Sequence, residues 1–200
     1  VGTTLDGANI GNTLDGIFLS VAAAGSVIHE SVVGNSGGVG IYSLAPQSQI
    51  SGSHVGTTPA GVTTPNTGDG VRFNSSASAS ILSNTFVGAN RGNGVFLNAP
   101  STNITGNYVG LLEDPSSRQA ASTDLGNAGN GISVGADATG CTLSNNVVGF
   151  STGSGIFIDT ANNLTIDDNF VGTTRTGGHD VGNQGTGILI IDAPRIASMQ

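Results

Sequence analysis

Apolar residues in this chain fall in runs of three to five with a period of two, each bounded by Gly, Asn, Asp or Ser, and no stretch shows the period of an amphipathic helix. The clearest runs open with a glycine: Gly16-Ile17-Phe18-Leu19, Gly40-Ile41-Tyr42-Ser43, Gly70-Val71-Arg72-Phe73, Gly94-Val95-Phe96-Leu97, Gly131-Ile132-Ser133-Val134, Gly155-Ile156-Phe157-Ile158 and Gly187-Ile188-Leu189-Ile190. Each predicts a short strand whose first and third residues face inward and whose middle residue faces out. A second pattern sets an aliphatic residue three places before a small polar one: Ile28 and Ser31, Ile50 and Ser53, Leu82 and Thr85, Ile104 and Asn107, Leu143 and Asn146, Ile166 and Asn169. A Val-Gly pair marks each unit, at Val1, Val33, Val55, Val87, Val109, Val148 and Val171.

The pairs are separated by 32, 22, 32, 22, 39 and 23 residues, so long and short units alternate with a deeper period of about 54. Three short strands per unit, repeated without helices, close one turn of a coil whose strands pair with the same strands of the next turn. The expected fold is all-β: a single-stranded parallel β-helix solenoid of about seven coils, short coils of 22–23 residues alternating with long ones of 32–39. Residues 1–200 read as one β-helix domain. Val1 falls in mid-coil, Arg195 to Gln200 stop where another coil would run, and neither end reads as a polar cap. The chain is therefore expected to be an excerpt of a longer solenoid, open at both ends. The Ile-x-x-Asn-x-Val-Gly and Gly-Ile-Phe-Leu rows resemble the right-handed parallel β-helix repeats of the pectin-lyase-like superfamily, over the whole chain. That resemblance implies right-handed coils and a secreted or cell-surface protein. It says little of activity, because the superfamily holds lyases, hydrolases, epimerases, tailspikes and non-catalytic surface proteins.

The strand pattern puts Phe18, Tyr42, Arg72, Phe96, Ser133, Phe157 and Leu189 in one outward column, and Val32, His54, Phe86, Tyr108, Val147 and Phe170 in another. Aromatic rings repeating along a rod suit the stacking faces of successive sugars, so Phe18, Tyr42, Arg72, Phe96 and Phe157 are the candidate ligand-binding residues and a polysaccharide is the candidate partner. Loops or a partner chain covering the columns is the competing reading. Arg72 is expected either to meet a uronate or to form a cation–π stack beside Asp69. The inward column Ser31, Ser53, Thr85, Asn107, Asn146 and Asn169 is expected to be a structural ladder.

Composition sharpens this picture. Gly, Asn, Ser and Thr number 33, 19, 22 and 21, a small-residue load that suits tight turns. Five Arg and no Lys against eleven Asp and two Glu give a net charge of −8, which a nucleic-acid backbone would repel. No apolar run approaches the ~20 residues of a membrane-spanning helix, so no membrane insertion is expected, and the partners left are a glycan and the neighbouring coils of the parent chain. Cys141 stands alone, which excludes an internal disulfide.

The long units carry the loops, Thr3 to Asp15, Thr57 to Asp69, Leu111 to Asn130 and Thr173 to Thr186, all leaving one corner. Glu113, Asp114 and Asp124 in the third are the weak catalytic candidates, as acid and base or as ligands of a lyase's Ca²⁺. No cofactor is otherwise implied, and no calcium-loop motif is present. His29, His54 and His179 fall in unrelated positions, against a zinc site. Two Gly-x-Ser-x-Gly matches, Gly34 to Gly38 and Gly149 to Gly153, are repeat turns without the helix a nucleophile elbow needs. The expected function is an extracellular or cell-surface segment acting as a glycan-binding or structural and adhesive scaffold. The alternative is a polysaccharide lyase, epimerase or hydrolase, and a minor one is ice binding through Thr3-Thr4, Thr57-Thr58 and Thr173-Thr174.

Overall fold

A computed structural model describes residues 1–112, 123–177, 180–193 and 195–199. The chain winds into a right-handed parallel β-helix, with no helix among the described residues. Two seven-stranded sheets and one six-stranded sheet run the length of the rod, each taking one strand per coil. The first sheet runs from Ile17–Leu19 through Ile41–Ser43, Val71–Phe73, Val95–Leu97, Ile132–Val134 and Ile156–Asp159 to Ile188–Ile191. The second begins at Val27–His29 and ends at Arg195–Met199, and the third runs from Val32–Val33 to Phe170–Val171.

Register is parallel and unshifted through most of the stack, as in Ile41↔Val71 and Val95↔Ile132. Because the side-chain period is two, equal register keeps every inward residue inward, and Ile41, Val71, Val95, Ile132 and Ile156 are fully buried one above another. The register shifts where Asn162–Asp167 meets Arg195–Met199, between Asn162 and Leu164 and again between Leu164 and Thr165.

The two sequence hallmarks are halves of one contact. A Cβ on Gly94 would lie 2.6 Å from Val109 Cγ1 and 2.7 Å from the carbonyl oxygen of Gly131. The equivalent glycines Gly16, Gly40, Gly70, Gly131 and Gly155 meet Val33, Val55, Val87, Val148 and Val171 at 2.4–2.7 Å. From Val33 on, the valine of each Val-Gly pair therefore fills the space in front of a strand-opening glycine, and no larger residue fits there.

Coil length is decided one residue after the valine. In long coils the glycine itself takes the left-handed turn, with φ of 72° at Gly2, 79° at Gly56, 85° at Gly110 and 77° at Gly172. A β-hairpin follows, closed by a bond from the amide of Ile10, Thr64, Leu125 or Val181 back to that glycine's carbonyl. In short coils the left-handed residue is the next one, Asn35, Ala89 or Phe150, and the chain turns straight on. The expected loops are thus shorter than the sequence suggested: each is a hairpin on the common corner, and its second half rejoins the coil at Asn12, Asn66, Asn127 or Asn183.

Three inner ladders satisfy the bends. The expected one runs through Thr85, Asn107, Asn146 and Asn169, where each backbone N–H donates to the next side-chain oxygen at 3.0–3.1 Å. A second, beyond the hairpins, links Asn66 Nδ2 to Asn90 Oδ1 at 2.8 Å and Asn90 Nδ2 to Asn127 Oδ1 at 3.0 Å. The third carries Ser48, Ser80, Thr102 and Cys141, whose thiol donates to the Ala99 carbonyl at 3.1 Å. Burial pushes the Cys141 thiol above its ordinary pKa, so this cysteine sits in a hydroxyl column as a weak donor rather than as a reactive thiol.

Candidate functional site

The first sheet brings Phe18, Tyr42, Arg72, Phe96, Ser133, Phe157 and Leu189 into one outward column in register. Phe18 is 52 % exposed and meets Tyr42 edge-on at 5.5 Å. The Arg72 guanidinium lies 4.3 Å from the Phe96 ring centroid and 6.0 Å from that of Tyr42, and Arg72 Nη1 donates to Asp69 Oδ2 at 3.0 Å. Asp69 also accepts from the amide and side chain of Asn93, which fixes the carboxylate. Of the two roles expected for Arg72, the structure has the cation–π stack. Asn74 Nδ2 further donates to the Tyr42 hydroxyl at 3.1 Å.

The third sheet carries a second stack. His54 and Phe86 lie 4.7 Å apart at 9°, and Phe86 and Tyr108 lie 4.9 Å apart at 11°. Arg175, from the last hairpin, caps this column: its Nε donates to the Tyr108 hydroxyl at 3.2 Å and its guanidinium lies 5.3 Å from that ring. Burial lowers the pKa of His54, whose Nδ1 is enclosed without a hydrogen-bond partner. Neither Arg175 nor this capping was legible in the sequence, because the hairpin brings Arg175 back across 67 residues.

Between the hairpin row and the first-sheet column lies a third feature that sequence reasoning missed. The residue after each second-ladder position faces out, giving the floor Thr13, Gly37, Thr67, Arg91, Ala128, Thr152 and Gln184, with successive coils joined by backbone bonds such as Arg91 N–H to the Asn66 carbonyl at 3.0 Å. Next along each coil comes Leu14, then Gly38, Gly68, Gly92, Gly129, Gly153 and Gly185. A Cβ on Gly92 would meet Gly68 carbonyl carbon at 2.8 Å, and one on Gly153 would meet that of Gly129 at 3.0 Å or closer. From Gly38 on, the strip therefore carries no side chains of its own, and Asp15, Asp69, Asn93 and Asn130 of neighbouring coils lie against its glycines. Two hollows of about 460 and 430 Å³ lie along the hairpin side of the floor and adjoin at Pro65 and Arg91. The signal was present as the repeated glycine two places before each strand-opening glycine, but its outward direction depends on the turn.

The catalytic candidates are not brought together. Glu113 and Asp114 lie outside the described residues, as does His179. Asp124 is exposed, and its Oδ1 accepts from the Gly126 amide at 2.9 Å, an Asx turn that ends the hairpin. Among the described residues no group of three His, Cys, Asp or Glu side chains could hold a metal ion. Of the threonine pairs offered for ice, Thr57 and Thr58 are fully buried, Thr3 and Thr174 nearly so, and Thr4 and Thr173 half-buried. That expectation is corrected, because these threonines bond within the hairpin neck, as Thr57 Oγ1 does to the Val62 carbonyl.

No family model and no curated protein matches the chain. Among solved structures it is similar to trypsin-treated QnrB1, a plasmid-mediated fluoroquinolone resistance protein, at 11% identity over 92% of each chain, with a TM-score of 0.21. The expectation of a glycan platform, adhesive scaffold or polysaccharide-active enzyme is withdrawn on what the outward column shows. The column itself gives a physical reason. Arg72 already occupies the ring faces of Tyr42 and Phe96, and Ser133 interrupts the rings before Phe157, so no unbroken row of free faces exists for successive sugars.

Proposed function

We propose that this protein is a recognition rod that binds a basic segment of a partner protein along the face between the hairpin row and the first-sheet column. The observation that carries the reading is that face's cross-section: hairpins on one side, aromatic side chains on the other, and between them a strip of glycines that carry no side chains of their own. A partner's chain meets no side chain of the strip glycines themselves, while the hairpins and the aromatic column bound it on either side. The net charge of −8 supports a basic partner, and Arg91 is the one cation on the floor. Kinship with the pectin-lyase-like superfamily belongs to the same proposal as a reading of descent, resting on the repeat rows alone.

The test is titration of a labelled nona-arginine peptide, followed by fluorescence anisotropy, with a nona-glutamate peptide as control. Arg91→Glu should tighten binding severalfold, Thr67→Arg with Thr152→Arg should weaken it at least tenfold, and added salt should weaken it throughout. Absence of binding to the basic peptide, or indifference to all three floor substitutions, would sink the reading.

A further inference from the structure

We infer that Phe96, Ser133 and Phe157 form a slot for the guanidinium group of a partner's arginine. The inference rests on the reading of a basic partner and names the group bound.

The template lies one repeat earlier in the same column. There the short coils supply Tyr42 and Phe96, the long coil between them supplies Arg72, and its guanidinium sits between the two rings. One doublet on, the short coils again supply two rings, Phe96 and Phe157, while the long coil between them supplies only Ser133. The strands that carry the two rings are two strand spacings apart, roughly 9–10 Å. A planar group in contact with both faces needs about 7–8 Å. Ser133 is 7 % exposed, and its hydroxyl has no hydrogen-bond partner among the described residues, so the floor of the slot presents an acceptor that no described residue uses.

Charge supports the same ligand. Arg72 is neutralised by Asp69, three residues earlier, and that position in the Ser133 coil is Asn130. The carboxylate comes instead from the next coil: Asp159 lies two residues after Phe157 on the same outward face of its strand, is exposed, and has no ion pair among the described residues. Two faces, an acceptor and a carboxylate fit a planar guanidinium, which can lie flat against both rings, whereas a primary ammonium is more strongly hydrated and does not stack.

The experiment compares nona-arginine with nona-lysine on the wild type and on Ser133→Arg, Phe157→Leu and Arg72→Ser, each first shown by thermal melting to be folded. The wild type should bind the arginine peptide at least fivefold more tightly. Phe157→Leu, which keeps apolar volume without a ring face, should erase that preference and leave lysine-peptide binding unchanged, and Ser133→Arg, which fills the slot from within, should erase the preference while its added charge weakens both peptides alike. Arg72→Ser should open a second slot between Tyr42 and Phe96, raising the number of arginine side chains bound, read with N-acetylarginine amide by NMR titration, from one to two. Equal binding of the two peptides by the wild type, or a preference that survives Ser133→Arg, overturns the slot and leaves the recognition rod standing. Failure of both peptides to bind overturns both.

Discussion

Single residues carry this fold through what they lack. Gly94 has no room for a methyl group, because Val109, the Gly131 carbonyl and Asn127 Nδ2 all stand within 2.8 Å of its would-be Cβ. Gly187, at the same position in the last coil, has 3.8 Å to Val171. Gly94→Ala should therefore cost about 1–3 kcal/mol, as overpacking does, while Gly187→Ala should be neutral or stabilise slightly through the unfolded chain. Chemical denaturation of the two variants checks the contrast. Gly-before-strand and Val-before-Gly were both plain in the sequence as a grammar. That they touch each other was not, since one contact joins residues 15 to 17 places apart through the closure of a coil. Cys141 makes a parallel case: the sequence shows a lone cysteine, and only its column shows it standing in for Ser48, Ser80 and Thr102. Its thiol should stay unreacted with a disulfide reagent until the protein is denatured.

Elements here are ladders and hairpins rather than isolated strands, and their stability is shared between coils. Asn107 accepts from the Thr85 amide and donates to Asn146 Oδ1 and to the Leu82 carbonyl, all in the buried interior. Replacing it with Leu leaves the Thr85 amide without an acceptor, so Asn107→Leu should lower stability by about 1–3 kcal/mol in spite of the added apolar volume. A thermal melt that rose would mean that the ladder contributes nothing. The ladder's inward position followed from the small polar residue three places after each aliphatic one. The second ladder was hidden because half of its members lie in segments that read as loop, and only the hairpin closure returns them to the coil. The stacked column of His54, Phe86 and Tyr108 makes a pH prediction. Burial favours neutral His54, so its folded pKa lies below the unfolded value of about 6.5. The unfolded chain then binds the proton first, and stability should fall as pH drops below about 6.5 and level off below the folded pKa. His54→Phe should flatten that limb in urea unfolding measured between pH 7.5 and 5.

At the scale of the whole molecule the protein is a one-dimensional stack, in which each coil contacts chiefly its neighbours. The doublet from Val55 to Tyr108 is 54 residues long, and its removal joins His54 to Val109 in the register already used by the third sheet. The shortened chain should remain folded, with an all-β circular dichroism spectrum and a lower melting temperature; an unfolded product would show that the coils are not interchangeable. The architecture was readable without coordinates for a physical reason. A solenoid repeats one local environment, so the period of the sequence is the period of the structure, and the alternation within each run already fixes which side faces in. Function was misread for the complementary reason. Which outward side chains are free depends on contacts between coils: Arg72 folding onto Phe96, Arg175 returning to Tyr108, and the threonine pairs tucked into hairpin necks. Inward residues were determined by the sequence alone, because every coil presents them to the same core; the outward ones were decided only when seven coils stacked and the side chains chose each other or the solvent.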